Sequence, residues 1–222
     1  MLVKICGVSN ILDAHHAIEA GASAIGFVMG GKCLPVEVEP HAQTVRDIIK
    51  TFPSHVDSFI VTHLLTADDI LDLSNYVNST GIQISEEIDV SIVKEVRERT
   101  RKKIIKTVVV RDESSFDMLK KVEPYADYIL LDTQSAGYVG GTGKTSDWNL
   151  CRKLVAAANK PVYLAGGLTP ENVERGILTV YPAGVDVATG VSTYSDDYLR
   201  KDRKCPQKIK LFIDRARAIR NN

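Results

Sequence analysis

Eight short apolar runs, rich in β-branched residues, recur along this chain of 222 residues, and an amphipathic stretch follows each run. The runs lie at 2–5, 24–28, 58–62, 81–84, 104–110, 128–131, 162–165 and 185–187. Because they are continuously apolar and do not alternate with polar residues, we expect each strand to be covered on both faces. Eight strand–helix repeats in a chain of this length predict a single (β/α)8 barrel domain over residues 1–222.

An open, doubly wound sheet is the structural alternative to a barrel. Such sheets often carry a GxGxxG turn after the first strand, but here that turn reads CGVSN at 6–10.

Two helix starts can be recognised in the sequence. Thr66 precedes a stretch with helical spacing of apolar residues, and Thr169 with Pro170 predicts another helix that has proline at its first position. Residues 208–220 predict the helix that closes the barrel.

The composition argues against several classes of protein. Lysine plus arginine and aspartate plus glutamate both number 28, so the formal net charge is zero and indicates neither a nucleic-acid nor a membrane-surface partner. No apolar run approaches the ~18 residues of a membrane span. The first residues become charged too soon for a signal peptide, which predicts a cytoplasmic, metabolic protein. The four cysteines (Cys6, Cys33, Cys151 and Cys205) form no CxxC or cysteine–histidine pattern, so we expect reduced thiols and no metal.

Glycine-rich turns follow the seventh and eighth predicted strands. The first contains Gly166 and Gly167, and the second contains Ala188, Thr189 and Gly190. Glycines between a strand and a helix allow backbone N–H groups to approach an anion, and barrels commonly bind phosphate at these two turns. The alternative is that these glycines only allow tight turns. Two such turns at the two expected positions favour a phosphate site.

The loop after the sixth predicted strand carries GGTGKT at 140–145. It resembles a phosphate-binding P-loop but fails the spacing, because the first glycine of that motif would fall at Tyr138. We interpret the segment as a mobile active-site loop in which Gly141 and Gly143 contact the substrate. An ordinary surface loop is the alternative.

Three polar residues stand at or near strand ends, where a barrel places its chemistry. Asp132 follows an apolar strand, and a carboxylate there needs a partner or a role. Asp186 lies directly before the eighth turn. Cys6 ends the first strand as a possible acid, base or nucleophile, although a lone cysteine there is more often inert packing. His63, after the third strand, is a weaker candidate.

Together these residues resemble the phosphoribosylanthranilate isomerase family of tryptophan biosynthesis. The segments that carry the resemblance are VKICG at 3–7, EAGA at 19–22, IGFV at 25–28, LLDT at 130–133, GGTGKT at 140–145, DW at 147–148, LAGGL at 164–168, PENV at 170–173, GVDV at 184–187, GV at 190–191, KD at 201–202 and KI at 208–209. They run from end to end and in order.

The resemblance implies an Amadori rearrangement of an N-linked 5-phosphoribose, a small sugar-phosphate substrate. It implies that Cys6 is the general base, that Asp132 is the general acid and that Asp186 contacts the bridging amine, with no cofactor or metal. Cys6 must then be a thiolate and Asp132 protonated at neutral pH. Their environments are therefore expected to move the two pKa values in opposite directions.

Two features of the family are missing from this chain. The loop after the second strand normally carries an arginine that holds the anthranilate carboxylate, but here it reads MGGKCLP at 29–35, so that Lys32 supplies charge without a bidentate fork. The turn after the fourth strand normally reads QLHG, but here it is QISEE at 83–87. Glu86 and Glu87 either face the aromatic acid and repel it, or point to solvent in the first turn of the next helix.

Three hypotheses follow. The chain is a phosphoribosylanthranilate isomerase with a divergent anthranilate pocket, a paralogous isomerase of another phosphoribosyl amine, or a non-catalytic phosphosugar-binding barrel. Retention of both Cys6 and Asp132 argues against the third. Because the arginine is missing, we expect weak activity on phosphoribosylanthranilate. The sequence is compatible with a monomer and with a homodimer.

Overall fold

The computed structural model describes residues 1–30, 41–132, 134–135, 138–139, 147–193 and 203–219. The strands in these residues are β1 (Leu2–Ile5), β2 (Ala24–Val28), β3 (Asp57–Thr62), β4 (Gly81–Ile84), β5 (Lys103–Val109), β6 (Tyr128–Asp132), β7 (Gln134–Ser135), β8 (Tyr138–Val139), β9 (Val162–Leu164) and β10 (Gly184–Val187). The α-helices are α1 (Ile11–Glu19), α2 (Ala42–Ile49), α3 (Ala67–Val77), α4 (Val90–Arg99), α5 (Ser114–Val122), α6 (Trp148–Ala157), α7 (Val173–Val180) and α8 (Pro206–Ala218). Over the described ranges, no helix has the length and apolar character that crossing a membrane requires.

Eight of the strands form one closed parallel barrel, which confirms the predicted (β/α)8 fold. The order around the barrel is β1-β10-β9-β6-β5-β4-β3-β2. The predicted strand bounds agree with the structure to within one residue at each end. The sequence did not predict β7 and β8, which pair antiparallel as a short hairpin between β6 and α6.

The barrel wall separates two apolar clusters, which explains why the strands are continuously apolar. A large outer cluster fills the space between the strands and the helices. A small inner cluster fills the barrel itself and consists of Ala24, Phe59, Ile105, Leu130, Tyr163 and Ala165. Since successive residues of a strand point to opposite faces, β2, β3, β5, β6 and β9 each contribute to both clusters.

The predicted helix starts are correct at one position and wrong at another. Thr66 caps α3 with its side-chain oxygen, as its place in the sequence suggested. Helix α7 begins at Val173 and not at Pro170. The reason is a turn held by side chains: the backbone N–H of Thr169 donates to Asn172 Oδ1 over 2.8 Å, which keeps these residues out of the helix.

Candidate active site

Cys6 and Asp132 both lie at the carboxyl end of the barrel. Cys6 directly follows β1, and its side chain points to the same face of the sheet as that of Lys4, two residues earlier. Asp132 ends β6, and its side chain points to the same face as that of Leu130 of the inner cluster. Only β10 and β9 separate β1 from β6 around the barrel. The glycine turns lie at the ends of those two strands. Cys6, Asp132 and the two turns therefore form one continuous arc of the barrel mouth.

The two glycine turns are in direct contact. A Cβ atom added to Gly190 would lie 1.9 Å from the carbonyl oxygen of Leu168 and 3.2 Å from the Cα atom of Thr169. Any side chain at position 190 would therefore force the turns apart. The glycine is needed here for close approach of two backbones, and not only for a tight turn.

The turn after β9 is built on two glycines in the left-handed region of backbone space. Gly166 has φ of 83° and Gly167 has φ of 64°, values that an L side chain rarely adopts. Asn172 braces the turn by donating from Nδ2 to the carbonyl oxygen of Gly167 over 2.9 Å. The backbone N–H groups of Gly166 and Gly167 donate to no acceptor among the described residues. They are therefore available to an anion.

A lysine that the sequence analysis overlooked lies at the centre of the site. Lys4 of β1 has no exposed surface, and its Nζ donates to Asp186 Oδ1 over 2.9 Å. Lys4 and Asp186 are register partners across the β1–β10 pair, so their side chains share the inner face. Asp186 thus holds a buried cation with one carboxylate oxygen, which leaves Oδ2 for any contact with a substrate.

The electrostatics of Cys6 differ from the sequence-based expectation. Cys6 is only 6% exposed, and this burial raises the pKa of its thiol above the ordinary value. The ammonium groups of Lys4 and Lys204 act in the opposite direction, while the carboxylate of Asp186 adds to the rise. The expected depression of the Cys6 pKa is therefore not found, because desolvation outweighs the two cations.

Lys204 is a second buried cation that the sequence analysis missed. Its Nζ donates to the carbonyl oxygen of Ala188 over 3.1 Å and to Ser192 Oγ over 3.3 Å, so it supports the turn after β10. Its backbone N–H donates to the buried carboxylate of Asp13 in α1 over 2.9 Å. These bonds tie the segment before α8 to the turn that follows the last barrel strand.

Glu86 and Glu87 adopt neither of the two arrangements considered from the sequence. Both precede α4, so they lie outside its first turn. Glu86 Oε2 lies 3.1 Å from Nδ1 of His63, the residue after β3. Glu87 accepts two hydrogen bonds from the guanidinium of Arg111, after β5, over 2.7 and 2.9 Å. Each carboxylate has a basic partner from a neighbouring strand end, which lessens the repulsion of an anionic ligand.

Some predicted site residues lie outside the described residues. They are Lys32, Gly141 and Gly143, together with the rest of the GGTGKT segment and the KD pair at 201–202. Within the described ranges, no group of three or more histidine, cysteine, aspartate or glutamate residues could hold a metal ion.

Comparison with known proteins identifies the family. Residues 3–214 match the family described as PRAI, N-(5'phosphoribosyl)anthranilate (PRA) isomerase. The N-(5'-phosphoribosyl)anthranilate isomerase of Methanothrix thermoacetophila is 33% identical over 219 residues, covering 97% of this chain and 98% of that relative. The solved phosphoribosyl anthranilate isomerase of Thermotoga maritima is 32% identical, covers 99% of this chain and 100% of its own, and superposes with a TM-score of 0.86.

A further solved structure shows a relative with a ligand. It is phosphoribosyl anthranilate isomerase in complex with reduced 1-(o-carboxyphenylamino)-1-deoxyribulose 5-phosphate; it is 30% identical, has a TM-score of 0.82, and covers 99% of this chain and 100% of its own. The match thus extends over the whole barrel in both sequence and structure. The chain belongs to the N-(5'-phosphoribosyl)anthranilate isomerase family.

Proposed function

We propose that this isomerase converts N-(5'-phosphoribosyl)anthranilate to the 1-amino-1-deoxyribulose 5-phosphate, with Cys6 as general base and Asp132 as general acid. The observation that carries the proposal is the order of the strands. The glycine turns end β9 and β10, which lie between the strands of Cys6 and Asp132. A phosphate bound at these turns would anchor the sugar between the base and the acid.

The reaction needs an acid at the ring oxygen and a base at C2'. Asp132 donates a proton to the ring oxygen of the furanose, the C1'–O bond breaks, and the amine nitrogen supplies the electron pair that forms the Schiff base. The Cys6 thiolate then removes the C2' proton. The resulting enolamine becomes the 1-amino-2-ketose when C1' gains a proton and the C2' hydroxyl loses its proton to form the carbonyl. Asp186 Oδ2 would contact the bridging amine.

The phosphate would bind at the backbone N–H groups of Gly166, Gly167, Thr189 and Gly190, next to Ala188. These donors form stronger hydrogen bonds to a charged acceptor than to a neutral one. The buried ammonium of Lys204, which donates to the Ala188 carbonyl, adds positive charge beneath the turn. We expect most contacts to the phosphate to come from the backbone and few from arginine side chains.

The aglycone would lie on the opposite side of the mouth. Lys32, in the loop after β2, is the proposed partner of the anthranilate carboxylate, and Gly141 and Gly143 would cover the substrate. Two observations support an anionic aglycone here: Glu86 is paired with His63, and Glu87 is paired with Arg111. The relative with a solved complex binds a ligand that carries an o-carboxyphenylamino group on a ribulose 5-phosphate.

The first prediction is that the purified protein turns over freshly made phosphoribosylanthranilate and rescues a tryptophan auxotroph that lacks this isomerase. Because a lysine replaces the family's arginine, substrate binding should be about ten- to a hundredfold weaker than in a relative that carries the arginine. Steady-state kinetics on both proteins measure the difference. The Asp132→Asn variant is the control for background turnover. Binding without turnover would favour a phosphosugar-binding protein, and failure of both would favour another phosphoribosyl amine.

A further inference from the structure

A lysine with no exposed surface in the interior of a barrel needs a compensating partner, because an isolated charge is costly to bury. Lys4 finds this partner in Asp186, on the adjacent strand β10, with 2.9 Å between Nζ and Oδ1. An ammonium group carries three N–H donors, and this bond uses one of them. The pair alone therefore does not account for the position of the lysine.

The second partner of Lys4 is Cys6. The two residues lie two apart on the same face of the first strand region, and while burial raises the pKa of the Cys6 thiol, the charge of the Lys4 ammonium lowers it. Gly26 of β2 has no side chain, which leaves room for the Lys4 ammonium and the Cys6 thiol. A Cβ atom added there would lie 3.0 Å from Cys6 Sγ and 3.0 Å from Lys4 Nζ. A glycine inside a strand often marks such a close approach.

The charges around Cys6 come from three parts of the chain: Lys4 of β1, Asp186 of β10 and Lys204 before α8. Burial raises the thiol pKa, and Lys4 is the strongest influence that lowers it. The carboxylate of Asp186 in turn raises the pKa of Lys4 against the effect of burial, so the lysine stays charged. Asp186, Lys4 and Cys6 thus form a chain of three coupled groups.

We propose that Lys4 is a positioning residue that serves as the counter-ion of the Cys6 thiolate, and that Asp186 holds this cation in place. The inference rests on the proposed role of Cys6 as the base, but it concerns a separate property, the ionisation of the thiol. A lysine that only closed the barrel through its ion pair would not affect that ionisation.

The test measures how fast iodoacetamide alkylates Cys6 at neutral pH, with mass spectrometry to resolve each cysteine. Only the thiolate reacts, so the rate follows the thiolate fraction. In Lys4→Met we expect the rate at Cys6 to fall by about tenfold or more, since an adjacent opposite charge commonly moves a pKa by about one to three units. Cys205, which is partly exposed and outside the site, is the internal reference.

Two further variants keep the test decisive. The double variant Lys4→Met/Asp186→Asn removes both charges of the pair and leaves no buried carboxylate unpaired, so it replaces the single variant if that one fails to fold. Cys6 of the double variant should also react more slowly than in the parent. Lys106→Met is the matched control, because Lys106 is another buried barrel lysine, 2% exposed, that donates to the carbonyls of Ile84, Glu86 and Thr107. Alkylation of Cys6 should be unchanged in this control.

Equal or faster alkylation of Cys6 in the Lys4 variants would overturn the inference. Where burial keeps Cys6 of the parent unlabelled, an unchanged pH profile of kcat/KM in Lys4→Met would overturn it. The supporting kinetic result is that the ascending limb of kcat/KM against pH moves to higher pH in Lys4→Met, with activity partly restored in alkali. If Cys6→Ser leaves kcat unchanged, the proposed function fails, but the alkylation rates still decide whether Lys4 stabilises the thiolate.

Discussion

Replacing either proposed proton-transfer group is expected to lower kcat by at least ~10²-fold, the usual scale for removal of a general acid or base. The substitutions are Cys6→Ser and Asp132→Asn. Both are nearly isosteric, so the free energy of unfolding should change little. A serine hydroxyl ionises far less readily than a thiol, and an asparagine amide has no acidic proton to give to the ring oxygen. Steady-state kinetics and urea unfolding of each variant measure the two effects.

The chain offers a matched control for each substitution. Cys151→Ser changes a buried cysteine of α6, on the helical layer. Asp127→Asn changes a carboxylate just before β6, where Oδ2 accepts hydrogen bonds from Arg97 and from the N–H of Ile104, each over 2.8 Å. Both controls can lose stability but should keep kcat. Full turnover in either Cys6→Ser or Asp132→Asn would remove that residue from the mechanism.

The second large effect is expected at the contact between the two glycine turns. In Gly190→Ala the added methyl group would overlap the carbonyl oxygen of Leu168, at 1.9 Å, so the turns must separate. We expect the free energy of unfolding to fall by about 1–3 kcal/mol, as for overpacking elsewhere. The KM for substrate should rise by about tenfold or more, because hydrogen bonds to the charged phosphate are weakened.

Competition by inorganic phosphate separates a loss of binding from a general loss of stability. Its inhibition constant should rise in Gly190→Ala in proportion to KM. The control is Gly176→Ala in α7, where an added Cβ would meet only side-chain atoms, the nearest at 3.3 Å. That variant should bind phosphate and substrate normally. An unchanged KM and inhibition constant in Gly190→Ala would place the phosphate elsewhere.

The sequence determined the barrel and part of its candidate site. Continuous apolar runs are required of strands that pack on both faces, so their number and spacing were sufficient to predict eight strands. The glycine turns were recognisable because they stand directly after strands. Cys6 and Asp132 were recognisable for the same reason, since residues that follow barrel strands face the mouth. Each of these inferences uses only neighbours along the chain.

The tertiary structure decided which groups meet. Lys4 and Asp186 are 182 residues apart and become partners only because the first and last strands close the barrel. Glu86 and His63 meet across adjacent strand ends, which gives a carboxylate of the acidic turn a hydrogen-bond partner. The direction of the Cys6 pKa was misjudged because desolvation depends on all surrounding atoms, and a periodic pattern contains no such information. The period of a strand determines which face a side chain takes, whereas its partner and charge environment are set by the strands that pack beside it.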